Sequence, residues 1–79
     1  MKRAWGLDVH KDTIFYAIYN TKKHNPVIEY STLTSSIRAM GKALQSEEVD
    51  MIAMESTGMY WIPVWNIMEE MGFWIYKMN

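Results

Sequence analysis

Asp8 and Glu55 are the residues of this chain whose type and placement promise chemistry. Each closes an apolar, strand-like run, in Gly6-Leu7-Asp8-Val9-His10-Lys11 and in Ile52-Ala53-Met54-Glu55-Ser56-Thr57-Gly58. Acidic residues are poor strand formers and costly to bury without a partner, so a carboxylate at the end of each run suggests a task. If the two runs lie side by side and parallel, the carboxylates converge at one end of a sheet. Converging negative charges repel, and a divalent cation held by oxygen ligands relieves the repulsion. The chemistry this points to is metal-dependent catalysis.

The elements that must position the pair follow from periodicity. Residues 4–9 predict a first strand, with His10-Lys11-Asp12 as a polar turn. The β-branched and aromatic run 13–19 predicts a second strand. Asn20 to Pro26 reads as a hairpin tip exposing Lys22, Lys23 and His24, and residues 27–33 as the returning third strand. Thr34 or Ser35 caps a helix over 36–46, with Ile37, Met40 and Leu44 on one face. Residues 49–55 predict a fourth strand. Ser56 or Thr57 starts a second helix that tolerates Pro63 in its early turns. Its apolar stripe is Trp61, Val64, Trp65, Met68 and Met71, and Gly72 stops it. Phe73 to Tyr76 form a fifth strand.

Right-handed crossovers then give an α/β fold with a five-stranded mixed sheet of order 3-2-1-4-5. The first and fourth strands are adjacent and parallel, so Asp8 and Glu55 meet at their carboxyl ends, where open α/β sheets place their sites. Alternation puts Asp8 with Ala4 and Gly6, and Glu55 with Met51 and Ala53. Trp5, Leu7, Val9, Ile52 and Met54 point the other way. Both crossovers run in the same direction, so two helices on one face cover the bulkier side and the carboxylate side has no helix over it.

Composition bounds the rest. Seventy-nine residues make one small domain, and a chain of this size buries only about 60% of its unfolded surface. There is no cysteine, hence no disulfide framework and no thiolate zinc site. The start of the chain reads as a strand rather than a signal peptide, and no apolar stretch reaches bilayer-spanning length. A net charge of −1 speaks against an autonomous grip on nucleic acid. Eight methionines and four tryptophans suggest apolar surface in need of cover.

The segments Gly6-Leu7-Asp8-Val9-His10-Lys11-Asp12-Thr13 and Ala53-Met54-Glu55-Ser56-Thr57-Gly58-Met59-Tyr60-Trp61 resemble the start of the DEDD transposases. These are bacterial insertion-sequence recombinases with a RuvC-like amino-terminal domain. The likeness covers nearly the whole chain and rests on two motifs at a fitting separation in a fitting element order. It implies an RNase H-like fold, a cytoplasmic protein, DNA strand cleavage and transfer, and a structured guide RNA that directs the protein to its DNA target. It also implies a magnesium-binding tetrad, Asp-Glu-Asp-Asp, in which Asp8 matches the first acid and Glu55 the second. His10, Lys11, Thr57 and Tyr60 become possible nucleic-acid contacts, with capping and turn roles as their plainer reading.

The family's last two acids come from an Asp-x-x-Asp-Ala segment after the fifth strand, which residues 1–79 do not contain. Asp12 lies in the first turn and Asp50 at the opposite end of the fourth strand, so neither substitutes. The family's carboxyl-terminal domain with its nucleophilic serine is also missing. The expectation is therefore a partial RuvC-like domain over residues 1–79, lacking its carboxyl-terminal helix and last two acids. Two-metal phosphoryl transfer needs ions roughly 3.5–4 Å apart. Two carboxylates hold at most one ion loosely, so Mg2+ in a catalytic pair belongs to the intact domain and the fragment itself is expected to be inactive.

Two other functions compete. An actin-like or sugar-kinase ATPase lobe begins in the same way, but His10 stands where that class has the glycine that approaches phosphate. A non-catalytic oligomerisation module would use the uncovered sheet face or the terminal strand edge, and self-association as a dimer or higher oligomer is expected from these surfaces.

Overall fold

Trp5, Leu7 and Val9 alternate with Ala4, Gly6 and Asp8 along the first strand, and this period of two decides which side of the sheet becomes core. A computed structural model describes residues 4–18 and 28–78. The elements are β1 (Ala4–Val9), β2 (Thr13–Ile18), β3 (Ile28–Ser31), α1 (Thr34–Ser46), β4 (Met51–Ser56), α2 (Trp61–Glu70) and β5 (Trp74–Met78). They form a small α/β domain whose five strands lie in the order β3-β2-β1-β4-β5. β1 pairs antiparallel with β2 and β2 with β3, while β1–β4 and β4–β5 are parallel.

One buried cluster unites Trp5, Leu7, Val9, Ile14 and Tyr16 of the hairpin, Ile52 and Met54 of β4, Ile37, Met40 and Leu44 of α1, and Val64, Ile67 and Met68 of α2. Both helices thus cover the same side of the sheet, as the crossover rule requires. Asp8 and Glu55 on the other side are exposed. Trp5 and Tyr16 stack with ring centroids 4.7 Å apart, and Tyr16 and Tyr30 follow at 5.5 Å, so aromatic rings fill the hairpin half of the core. No helix among the described residues is long and apolar enough to cross a membrane.

Several boundaries differ from expectation, each for a local reason. α1 begins at Thr34, and its N-cap is Leu33 rather than Thr34 or Ser35, without a side-chain cap. Ser31 holds the helix entry instead, its hydroxyl accepting from the Leu33 amide (3.4 Å) and donating to the Ser36 hydroxyl (2.7 Å). β3 therefore stops at Ser31 instead of running to residue 33. α2 starts at Trp61, not at Ser56 or Thr57. Ser56 remains in β4, the Thr57 amide donates to the Val9 carbonyl (3.2 Å), and Gly58 turns the chain out of the ladder at φ +57°. β4 spans 51–56 rather than 49–55, and β5 runs from Trp74 to Met78 rather than from 73 to 76.

In α2 the buried stripe is Val64, Ile67 and Met68, with Trp61 and Met71 packed partly buried against it; Ile67 joins the expected set, while Trp65 lies outside the cluster and meets the Trp61 ring edge-on at 5.7 Å. Gly72 does end the helix, at φ +93°. Its amide donates to the Glu69 carbonyl (3.0 Å) and that of Phe73 to the Met68 carbonyl (3.1 Å), the paired bonds of a Schellman motif. The expected hairpin tip at 20–26, Tyr19 of the second strand and Val27 of the third lie outside the described residues.

Candidate functional site

The parallel β1–β4 ladder runs from Ala4 opposite Met51 to Val9 opposite Ser56 and sets Asp8 directly opposite Glu55. These are central strands, so the two carboxylates stand in the middle of the sheet, at the carboxyl ends of their strands and on the side that no helix among the described residues covers. Across the neighbouring ladders Asp8 faces Phe15 and Glu55 faces Met78. Below the pair, Gly6 lies opposite Ala53 and leaves a shallow floor of small residues.

His10 stands beside Asp8. Its Nε2 lies 3.1 Å from Asp8 Oδ2, the two side chains being 42% and 57% exposed. A contact this open to solvent contributes little to stability. The imidazole is held more firmly by its surroundings: it meets the Phe15 ring edge-on at 5.9 Å, and the His10 amide donates to the Thr13 carbonyl (2.8 Å) across the β1–β2 turn. His10 is the first residue after β1, and extended backbone carried one residue past the strand end sets it on the face of Asp8; that spacing is the signal by which it could have been assigned to Asp8 rather than to a phosphate.

The remaining expected residues are placed around the same end of the sheet without converging on the pair. Lys11 is exposed in the β1–β2 turn, where its carbonyl accepts from the Thr32 hydroxyl (3.2 Å). Thr57 is exposed, with its amide in the β1–β4 ladder and its carbonyl accepting from the Ser56 hydroxyl (3.1 Å). Tyr60 is exposed at the entry to α2, its ring beside Gly58. α2 begins six residues past Glu55, so its amino terminus is not directly at the carboxylate.

Asp12 is exposed in the turn and Asp50 precedes β4 at its far end, accepting at its carbonyl from the Trp74 amide (2.9 Å). A cavity of about 200 Å³ lined by Asp50, Met51, Gly72 and Trp74 lies at that far end and so does not belong to the acid pair. Among the described residues no three His, Cys, Asp or Glu side chains gather into a metal-binding group. Asp8 and Glu55 thus offer adjacent, water-accessible oxygen donors of the type a hard divalent cation takes, with water left to complete the shell. No protein-family model and no curated protein matches the chain.

Proposed function

We propose that residues 1–79 are the amino-terminal part of an RNase H-like, RuvC-like domain of a DEDD-type DNA transposase. In the intact protein this domain carries out magnesium-dependent strand cleavage and transfer. The observation that carries the reading is the register of Asp8 opposite Glu55 at the carboxyl ends of the two central parallel strands. Two acids of the motif pattern thereby become neighbours on the one side of the sheet that no described helix covers.

The donor set fits a magnesium ion: two carboxylates, no sulfur, and open access for water and phosphate. Asp8 and Glu55 would hold the ion, and His10 would share or release Asp8 Oδ2. When bound, such an ion polarises a phosphoryl oxygen and activates water or a hydroxyl. Lys11, Thr57 and Tyr60 form the rim from which a nucleic-acid backbone is approached. DNA and a guide RNA are the partners of the whole protein in this reading, and a bacterial cytoplasm is its setting.

A magnesium titration followed by NMR of the side-chain carboxyl carbons tests it. Asp8 and Glu55 are expected to shift together at millimolar Mg2+, and Asp8→Asn or Glu55→Gln to abolish the response of the remaining acid. Carboxyl signals unmoved at those concentrations would remove the basis of the proposal.

A further inference from the structure

Asp8 and His10 bring an oxygen and a nitrogen donor together at the end of β1, with His10 Nε2 3.1 Å from Asp8 Oδ2. Two donors each about 2.1 Å from one metal ion, and at right angles about it, stand about 3.0 Å apart. The contact therefore has the spacing of neighbouring corners in a metal shell. The β1–β2 hairpin shapes the surroundings of both side chains. Phe15 is opposite Asp8 in the ladder and meets the imidazole edge-on at 5.9 Å, while the His10 amide donates to the Thr13 carbonyl (2.8 Å). Every one of these contacts lies within residues 8–15, so the hairpin alone builds the pair.

We infer that Asp8 Oδ2 and His10 Nε2 form a two-donor chelate, which gives this site a preference for a borderline divalent cation of the zinc class over magnesium. The inference rests on the reading of Asp8 as a metal ligand and adds to it a nitrogen donor, and hence a choice of metal. Carboxylate and water oxygens suit magnesium, whereas imidazole suits zinc and its neighbours. A neutral imidazole binds through the lone pair of one nitrogen. The ion thus replaces the hydrogen bond at Nε2, and the ring keeps its proton on Nδ1.

The plainer roles of His10 explain less of this geometry. As an ion pair the contact is too open to add much stability. As a turn residue His10 needs only its backbone amide, which Thr13 already takes. A ring braced on Phe15 and aimed at a carboxylate has given up rotamer freedom before any ion arrives, and that preorganisation strengthens chelation. Two donors do not close a site, and no group of three His, Cys, Asp or Glu side chains forms among the described residues. Water completes the shell, so the expected signature is the preference between metals and not tight binding.

Separate titrations of the full chain with zinc chloride and magnesium chloride at one fixed pH test the chelate. NMR follows the His10 ring nitrogens and the Asp8 and Glu55 carboxyl carbons. Zn2+ is expected to move His10 Nε2 and the Asp8 carboxyl with a single midpoint, about tenfold below the Mg2+ midpoint of Asp8. His10→Asn and His10→Gln, each verified as folded by circular dichroism, should bring the two midpoints within about threefold of each other. His24→Asn should leave the preference intact. A Zn2+ response of Asp8 without His10 Nε2, a preference that survives both His10 variants, or one that His24→Asn removes would overturn the inference. If Asp8 and Glu55 answer Mg2+ while His10 stays silent to Zn2+, the chelate falls and the magnesium reading stands. If Zn2+ moves His10 and Asp8 while Mg2+ moves neither acid, the chelate stands and the magnesium reading falls.

Discussion

The Tyr16 hydroxyl is held in the Trp5–Tyr16–Tyr30 stack, and its pKa is pushed up to about 12. Burial is the main cause, followed by its hydrogen bond to Tyr30 and by charge at Tyr30 and Glu47. A tyrosine in the unfolded chain ionises near pH 10, so the folded state keeps this proton longer. Its contribution to stability is complete below about pH 10 and is lost as pH rises from there through about 12. Urea unfolding between pH 9 and 12 should therefore show the wild type losing more stability than Tyr16→Phe. Equal losses would mean that the hydroxyl ionises alike in both states. At this scale the carboxylates were legible, because an acid closing an apolar strand is conspicuous. The Asp8–His10 pair was not, because the turn after β1 offered His10 a solvent role as plausible as a carboxylate partner.

The two helices end with the same hydrogen-bond pattern but with different residues in the left-handed position. After α2 that residue is Gly72, and after α1 it is Glu48 at φ 60°. The Glu48 amide donates to the Gln45 carbonyl (3.0 Å) and the Val49 amide to the Leu44 carbonyl (3.0 Å), matching the bonds around Gly72. A side chain in this conformation costs roughly 1–2 kcal/mol that glycine avoids, partly offset by glycine's greater freedom when unfolded. Glu48→Gly is thus expected to stabilise the protein by about 0.5–1 kcal/mol, read as a higher urea midpoint with unchanged slope. A lower midpoint would show that the Glu48 side chain makes a contribution larger than its backbone strain. Element type and order were readable from periodicity, whereas helix starts were not. Ser56 and Thr57 look like caps, but the β1–β4 ladder takes the Thr57 amide and holds Ser56 in the strand. A residue kept extended by the sheet cannot also open a helix one residue later, so strand pairing moves the helix start to Trp61.

For the whole molecule, the strand order followed from chain direction and crossover handedness, which need no detail of packing. The complement of the acid site follows from the same picture: two carboxylates are neighbours, and no third ligand of the described residues joins them as a metal group. With Mg2+ and duplex DNA, the 79-residue chain is expected to leave the DNA uncut on a denaturing gel. Cleavage that Asp8→Asn abolishes would show that the two acids suffice.

The β1–β4 register also has a kinetic side. Asp8 and Glu55 belong to strands separated in the chain by a hairpin and a helix, and they meet only when that long loop closes, at an entropic cost that short-range contacts do not carry. The β1–β2 hairpin and the individual helix turns can form without it, so the carboxylates are expected to become neighbours late in folding. A partly unfolded chain holds two separate acids, and an ion bound between them is bound to the native state alone. Metal occupancy would thereby stabilise the entire fold through mass action, and loss of the β1–β4 seam would release the ion before any residue of the site had changed chemically.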